Sequence, residues 1–189
     1  MILLRMSDEL IANIITDTNW TLFLDRDGVI NKHLPDDYVK TPDDFIWLPN
    51  VIDALKTLSG IFSKIIVVTN QRGIAKGLYT ETDLSNIHYQ MMKAVRNAGA
   101  RIDAIYYCPH FGDEENCNCR KPNSGMALQA KSQFPEIDFN HSVMVGDSKS
   151  DIDFGKNLKM LTVTVTKDFS DFADMYVKSL YYFSTLFQG

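Results

Sequence analysis

Short apolar runs alternate along the chain with longer stretches in which apolar residues recur every three or four positions. Each short run is bounded by polar or turn residues, which is typical of a strand buried on both faces of a parallel sheet. The runs cover residues 22–24, 65–68, 102–107, 142–145 and 161–165. The longer stretches predict helices at residues 51–58, 80–98, 126–134 and 152–157. This alternation predicts an α/β fold, with a doubly wound, Rossmann-like parallel sheet that carries helices on both faces.

The length of 189 residues fits a single domain. We expect its core at residues 20–166, with an N-terminal extension at 1–19 and a C-terminal tail at 167–189. Apolar residues at positions 10, 11, 14 and 15 predict a short amphipathic helix in the extension. Residues 32–49 contain three prolines and predict a loop, and only about forty residues separate Asp27 from the second strand. This stretch is too short for a large cap domain, so loops should shape the site.

The first strand ends in two carboxylates, Asp25 and Asp27, which Gly28 follows. Parallel strands present their ligand-binding groups at their carboxyl ends, in the crevice beyond the sheet. Two carboxylates this close repel each other and need a cation or a proton. Mg2+ prefers oxygen ligands and is often bound together with a phosphate. A plain Asp-Gly turn explains this motif about as well by itself, so the other strand ends decide the interpretation.

Polar groups follow three further predicted strands at the same edge of the sheet. In chain order they are Thr69 and Asn70, then Arg120 and Lys121, then Asp147 and Asp151. Each has an ordinary structural explanation by itself, such as a turn hydroxyl, a solvated charge or a helix N-cap. Their occurrence at successive strand ends instead favours phosphoryl transfer to a carboxylate.

This chemistry gives each group a role. We predict that Asp25 is the nucleophile that forms an aspartyl phosphate, and that Asp27 is the general acid and base. Asp25, Asp147 and the main-chain carbonyl of Asp27 would hold the catalytic Mg2+. Lys121 and the Thr69 hydroxyl would stabilise charge on the phosphoryl oxygens.

Asp151 lies four residues beyond Asp147, and we predict that it holds Lys121 in place from outside the reacting centre. A receiver-type phosphoacceptor domain also uses a strand-end aspartate with Mg2+, Thr and Lys. The second carboxylate at Asp27 favours a hydrolase over such a signalling domain, which gains nothing from fast dephosphorylation.

All three cysteines of the chain lie within one loop that also contains a histidine. The set is Cys108, His110, Cys117 and Cys119, which is a complete tetrahedral zinc set of three thiolates and one imidazole. We predict a structural zinc ion, because no position is left open for water, and we expect it to stiffen the loop that presents Arg120 and Lys121. A zinc-loop binding module without activity is disfavoured, because every catalytic position is filled.

The net charge and the composition restrict the classes of binding partner that we expect. The net charge is −5 and no dense basic run occurs, which disfavours nucleic acid as a partner. No apolar run approaches the roughly 18 residues of a membrane span. Charged residues follow the apolar residues 1–4 at once, so we expect no secretion signal, no membrane partner and a cytoplasmic location. We expect a monomer that binds a small phosphorylated sugar.

The four groups of motifs resemble those of the haloacid dehalogenase superfamily of phosphatases. Residues 25–28 resemble its first motif, Thr69 its second, Lys121 its third, and residues 146–151 its fourth. The resemblance covers about residues 20–166. It implies the same Mg2+-dependent mechanism through an aspartyl phosphate.

The zinc loop narrows this resemblance to the zinc-bearing branch that contains the D-glycero-D-manno-heptose 1,7-bisphosphate phosphatases and the histidinol phosphatases. Residues 69–75 and 105–108 are closer to the heptose enzymes. The substrate-binding residues that the resemblance implies are Asn70, Gln71, Arg72, Arg120 and Tyr38. One departure from the branch is Ser148, which stands where a lysine is common, with Lys149 next.

The resemblance implies a phosphatase that removes one phosphate from a sugar bisphosphate, here the 7-phosphate of the heptose compound. Histidinol phosphate is the second expectation, because the six residues between His110 and Cys117 are nearer to the histidinol-phosphatase length. A polynucleotide 3′-phosphatase shares the Asp-x-Asp and Thr-Asn-Gln elements, but the acidic net charge disfavours it.

Overall fold

The computed structural model describes residues 7–112 and 117–188, which form a six-stranded parallel sheet flanked by helices. The strands are β1 (Thr21–Leu24), β2 (Lys64–Asn70), β3 (Ala104–Cys108), β4 (Ser142–Gly146), β5 (Leu161–Thr164) and β6 (Met175–Tyr176). The helices are α1 (Asp8–Thr16), α2 (Val51–Ser59), α3 (Glu81–Asn97), α4 (Gly125–Gln133), α5 (Lys149–Asn157) and α6 (Leu180–Thr185).

The strand order is β3-β2-β1-β4-β5-β6, and neighbouring strands run parallel. The chain builds from β1 through β2 to β3 and then returns to the other side of β1 with β4. Open α/β sheets bind ligands where the order reverses in this way, beyond the carboxyl ends of the strands. The predicted doubly wound sheet is confirmed. Residues 32–50 form a loop with the 3-10 turn Pro42–Asp44 and no cap domain.

The central strands are covered on both faces. Leu22 and Leu24 belong to the apolar cluster on one face of the sheet, and Phe23 belongs to the cluster on the other face. All three side chains are fully buried. Successive side chains of a strand point to opposite faces, so a strand covered on both faces is apolar throughout. This explains why the sequence shows continuous apolar runs here.

The C-terminal region contributes more to the fold than its sequence pattern predicts. The pattern predicts five strands, and the structure adds β6, which pairs with β5. Helix α6 packs against α2, and its Phe183 is fully buried next to Phe62. A two-residue strand and a six-residue helix are too short to show a clear periodicity.

The predicted amphipathic helix near the N-terminus is present as α1, with Ile14 fully buried. Residues 1–6 of the predicted extension lie outside the described residues. None of the helices that the structure describes has the length and apolar character needed to cross a membrane.

Candidate active site

A cleft of about 500 Å3 opens beyond the carboxyl ends of β1 and β4. The residues with predicted catalytic roles that line it are Asp25, Asp27, Thr69, Lys121, Asp147 and Asp151. The residues with predicted substrate contacts that line it are Tyr38, Asn70, Gln71, Arg72 and Arg120. The fold therefore brings both sets together at one edge of the sheet.

Lys121 lies at the bottom of the cleft between two carboxylates. Its Nζ is 2.7 Å from Oδ1 of Asp25 and 2.6 Å from Oδ1 of Asp151. The same ammonium donates a hydrogen bond of 2.7 Å to the main-chain carbonyl of Val68. Burial would lower the pKa of Lys121, but Asp151 and Asp25 outweigh burial and raise it. Lys121 therefore stays cationic although it is buried.

The main chain of Lys121 is held by the side chain of Asn70, at the end of β2. The Lys121 N–H donates to Oδ1 of Asn70 at 3.0 Å, and Nδ2 of Asn70 donates to the Lys121 carbonyl at 3.2 Å. The side-chain amide of Asn70 thus forms two hydrogen bonds with the main chain of Lys121, as the main chain of a neighbouring β-strand would. This contact ties the loop that carries Lys121 to the sheet, and it occupies the side chain that was predicted to contact substrate.

Three carboxylates crowd around this single ammonium group. Oxygens of Asp25, Asp147 and Asp151 lie within 4.8 Å of one another. Burial raises the pKa of Asp25 well above its usual value, and the neighbouring carboxylates add to the rise although Lys121 opposes it. Burial and then Asp151 raise the pKa of Asp147 to about 6. When all are ionised, the cluster carries a net charge of minus two, so its oxygen donors and its charge fit a divalent cation such as Mg2+.

Two glycines permit this close approach of the carboxylates. Gly28 has a φ of +84°, and a Cβ at this position would overlap the carboxylate of Asp147. A Cβ at Gly146 would overlap the side chain of Asp151. Only glycine combines a positive φ with the absence of a side chain at low cost. Gly28 therefore shapes the candidate metal site as well as the turn after β1.

Asp151 also takes part in capping the N-terminus of α5. Its Oδ2 accepts from the hydroxyl and the N–H of Ser148 at 2.6 and 3.0 Å, which completes a capping box. Its Oδ1 is thereby turned towards Lys121. Lys149 pairs instead with Asp153 on the same helix at 2.6 Å. The lysine next to Ser148 therefore does not line the cleft.

Asp27 is held by donors on both of its carboxylate oxygens. Nη2 of Arg26 donates to Oδ1 and Oδ2 at 3.0 and 2.9 Å, Asn31 donates to Oδ1 at 2.9 Å, and Gln71 donates to Oδ2 at 3.0 Å. Burial acts to raise the pKa of Asp27, but the Arg26 guanidinium and these hydrogen bonds outweigh burial and lower it. The structure thus holds Asp27 as a carboxylate.

Gln71 connects Asp27 to the end of β2. Its Nε2 also donates to the Thr69 hydroxyl oxygen at 2.7 Å, and its Oε1 accepts from the Tyr79 hydroxyl at 2.6 Å. Gln71 is only 2% exposed. Its amide is therefore engaged with protein groups, which differs from the predicted substrate contact. Thr69 keeps its hydroxyl proton for another acceptor, because its oxygen accepts from Gln71.

No sequence motif indicates a role for Arg26, Tyr79 or His88, which contact Asp27 or its hydrogen-bond partners. Nη1 of Arg26 lies 3.2 Å from Nε2 of His88, and both side chains are buried. One signal for His88 was available. It lies four residues after Leu84 and three before Met91, so it shares the inward face of α3, where a polar residue needs a partner.

Three further cationic side chains line the cleft, beside the acidic residues Asp36 and Asp37. Arg72, Lys76 and Arg120 line it together with Tyr38. Burial acts to raise the pKa of Tyr38, but hydrogen bonds and charge from Lys76 and Arg72 outweigh burial and lower it. The Arg72 guanidinium also lies over the Phe111 ring, 5.8 Å from its centroid. These cations are suited to contact an anionic group of a ligand.

The cysteine loop brings its four predicted ligands together. Sγ of Cys117 is 3.3 Å from Sγ of both Cys108 and Cys119. Nδ1 of His110 is 3.2 Å from Sγ of Cys117 and of Cys119 and 3.6 Å from Sγ of Cys108. These spacings are close to those of ligands around one tetrahedral zinc ion, with bonds of about 2.0–2.3 Å. The set therefore fits zinc, and the Arg120 N–H donates to Cys117 Sγ at 3.3 Å.

Comparisons with known proteins agree with this geometry. Residues 21–181 match the family model described as polynucleotide kinase 3 phosphatase. A D-glycero-alpha-D-manno-heptose-1,7-bisphosphate 7-phosphatase of Mycobacterium tuberculosis is 40% identical over 139 residues, which cover 74% of this chain and 73% of that protein. A D-glycero-beta-D-manno-heptose-1,7-bisphosphate 7-phosphatase of Haemophilus influenzae is 39% identical over 147 residues, which cover 75% and 78% of the two chains.

A solved structure of a related phosphatase has a similar fold. The D,D-heptose 1,7-bisphosphate phosphatase from B. bronchiseptica, complexed with magnesium and phosphate, has a TM-score of 0.79 to this fold. The two proteins are 30% identical, and the match covers 88% of this chain and 96% of that one.

The close approach of Gly28 to Asp147 generates a prediction. The Gly28→Ala variant should bind Mg2+ about tenfold or more weakly, because its methyl group displaces a carboxylate of the metal site. The matched control is Gly99→Ala, since Gly99 has a φ of +74° with open space around it. Both variants should lose stability through strain, but only the first should lose Mg2+ affinity in a calorimetric titration. Equal Mg2+ affinities would contradict the assignment.

Proposed function

Because this chain belongs to the heptose bisphosphate phosphatase family of the haloacid dehalogenase superfamily, we propose that it hydrolyses the 7-phosphate of D-glycero-D-manno-heptose 1,7-bisphosphate. The observation that carries the reaction type is the second carboxylate, Asp27, in the cleft that holds the Asp25–Lys121 pair. A phosphoacceptor domain needs only one of these two carboxylates. A hydrolase needs the second to move protons.

We assign the Mg2+ site to Asp25, Asp147 and the main-chain carbonyl of Asp27, and carboxylate oxygens of Asp25 and Asp147 lie within 4.8 Å of each other. Bound there, Mg2+ would offset the negative charges of nucleophile and phosphate as they approach each other. Asp151 lies in the same cluster, but its Oδ1 is occupied by Lys121 and its Oδ2 by Ser148. We therefore keep Asp151 as the residue that holds Lys121.

In the first half-reaction a carboxylate oxygen of Asp25 attacks the phosphorus of the substrate. A bond forms between this oxygen and phosphorus, and the bond from phosphorus to the sugar oxygen breaks. Lys121 and the Thr69 hydroxyl donate to the phosphoryl oxygens as charge shifts onto them. Asp27 gives a proton to the departing sugar oxygen.

In the second half-reaction water attacks the phosphorus of the aspartyl phosphate. Asp27 takes the proton of this water, the bond between phosphorus and Asp25 breaks, and inorganic phosphate leaves. The lowered pKa of Asp27 favours its ionised form, which is the form that can accept this proton. An anionic phosphate ester in the cleft opposes the effect of Arg26 on this pKa, and thereby favours the protonated form that the first step requires.

Three cations of the cleft lining would contact the second phosphate of a bisphosphate substrate. Arg72, Lys76 and Arg120 contribute three positive charges to the cleft lining, in which Asp36 and Asp37 also lie. A sugar bisphosphate would place one phosphate at Asp25 and the other against these cations. The zinc-ligand loop would hold Arg120 and Lys121 in position, since Cys117 and Arg120 are joined by a hydrogen bond. A monomeric state and a cytoplasmic location stay predictions.

A polynucleotide 3′-phosphatase is the second candidate, because the matching family model carries that description. The net charge of −5 weighs against it, since nucleic-acid binding depends on neutralising many phosphates.

Turnover on a panel of phosphate esters tests the substrate. With Mg2+, kcat/KM should be highest for one or both anomers of D-glycero-D-manno-heptose 1,7-bisphosphate. It should exceed the values for histidinol phosphate and for a 3′-phosphorylated oligonucleotide by about tenfold or more, a difference of about 1.4 kcal/mol in transition-state stabilisation. Removal of Mg2+ with a chelator should abolish turnover. A higher kcat/KM for either of the other substrates would overturn the proposal.

The acid–base role of Asp27 gives a second test. The Asp27→Asn variant should lower steady-state hydrolysis of the heptose bisphosphate by about 100-fold or more, because an amide neither gives nor takes the proton. Asp53→Asn is the control, since Asp53 is exposed on α2 and lies outside the cleft lining. Wild-type turnover by the Asp27→Asn variant would rule out the assigned role.

The cysteine loop gives a third test. The purified protein should contain about one zinc ion per chain by elemental analysis, and Cys119→Ser should lose most of it, because a structural site needs all four ligands. Asn118→Ser changes the exposed neighbour and should keep the zinc. Equal zinc contents in the two variants would exclude the assigned ligand set.

A further inference from the structure

His88 is a buried histidine that the proposed reaction does not use. It lies on α3, is 8% exposed, and its Nε2 is 3.2 Å from Nη1 of Arg26. Its ring also packs against the Tyr107 ring in an edge-to-face arrangement, with ring centroids 6.2 Å apart. A histidine in such a place needs a defined polar partner, because burial without one is costly.

The chemistry of arginine determines the form of this histidine. A guanidinium group only donates hydrogen bonds and stays charged in proteins. Nε2 of His88 must therefore accept from Arg26, so the ring is neutral and carries its proton on Nδ1. Burial and the charge of Arg26 lower the pKa of His88 to about 3, which agrees with a neutral ring.

The same guanidinium extends from His88 to Asp27. While Nη1 is held by His88, Nη2 contacts both carboxylate oxygens of Asp27, at 3.0 and 2.9 Å. Two contacts from opposite ends of a planar group fix its orientation. The carboxylate that it contacts is then fixed as well.

A second support reaches Asp27 from the residue that precedes the N-cap of α3. The Tyr79 hydroxyl donates to Oε1 of Gln71 at 2.6 Å, and Nε2 of Gln71 donates to Oδ2 of Asp27 at 3.0 Å. Burial raises the pKa of Tyr79 to about 12, so the hydroxyl keeps the proton that it donates. These two supports of Asp27 begin at or next to α3, whereas the third, the Asn31 amide that donates to Oδ1, does not. No residue of α3 lines the cleft.

We propose that His88 is a positioning residue, which acts through Arg26 to orient the carboxyl group of Asp27 for proton transfer. This inference rests on the proposed function, in which Asp27 protonates the departing sugar oxygen. His88 itself touches neither substrate nor metal in this account. Its effect is therefore confined to steps in which Asp27 moves a proton.

Substrates with different leaving groups distinguish a positioning role of His88 from a purely structural role. A sugar alkoxide is a poor leaving group and needs a proton from Asp27, whereas nitrophenolate leaves without one. The ratio kcat/KM reports the first irreversible step, which is the transfer of the phosphoryl group to Asp25. Misplacement of Asp27 should therefore slow the heptose bisphosphate much more than p-nitrophenyl phosphate. A general loss of structure would slow both.

The test compares His88→Met with His88→Gln in the Mg2+-loaded protein. His88→Met should lower kcat/KM for the heptose bisphosphate by about tenfold or more, because a small misplacement of a catalytic group is costly. It should change kcat/KM for p-nitrophenyl phosphate by less than about threefold. His88→Gln should restore most of the loss, since its amide oxygen accepts from Arg26. Tyr89→Leu, at an exposed neighbour on α3, should change neither value.

Equal losses on the two substrates, or no rescue by glutamine, would overturn the proposal. A wild-type protein that hydrolyses p-nitrophenyl phosphate and simple alkyl phosphates but not the heptose bisphosphate would refute only the heptose assignment. The alkyl phosphate then replaces the heptose bisphosphate in the comparison with p-nitrophenyl phosphate.

A second measurement needs no variant, namely a long-range 1H–15N spectrum of the histidine rings. His88 should show a protonated Nδ1 and a bare Nε2 at neutral pH, and a protonated Nε2 would contradict the proposal.

Discussion

The structure depends on the placement of three carboxylates around one buried ammonium group. Asp25 and Asp151 contact Lys121 directly, and Asp147 completes a cluster whose oxygens lie within 4.8 Å of one another. Like charges at such distances repel strongly where water is scarce. A divalent cation bound at this cluster would offset the excess negative charge. The carboxylates that repel one another are therefore the same groups that we assign to metal binding and catalysis.

Ordinary structural devices bring these charges together. Two glycines remove the side chains that would keep Asp147 and Asp151 at a distance. The Asn70 amide pairs with the main chain of Lys121, and a capping box turns Asp151 towards the Lys121 ammonium. The capping box is local in sequence whereas the Asn70 pairing is not, and together these contacts attach three strand ends and one loop to the same point. A site of this kind needs no cap domain, because the loops after the strands enclose it.

The parts that the sequence made predictable are those with local signals. Asp25, Thr69 and Asp147 each follow an apolar run, so their position at one sheet edge follows from parallel strand topology. The partner of Asn70 was not predictable, because Lys121 is 51 residues away and their pairing depends on tertiary packing. His88 fits the apolar face of α3, and its contact with Arg26 exists only once α3 packs against the sheet. Helix α6 is too short to show a period.

The most direct test of this account is the position of the cation. Crystals soaked with Mn2+, which replaces Mg2+ and scatters anomalously, should show a strong peak between the carboxylates of Asp25 and Asp147. Lys121 should remain between Asp25 and Asp151 in the same crystals. A cleft without an anomalous peak, at Mn2+ concentrations that support turnover, would contradict the claim that the carboxylate cluster is a divalent cation site.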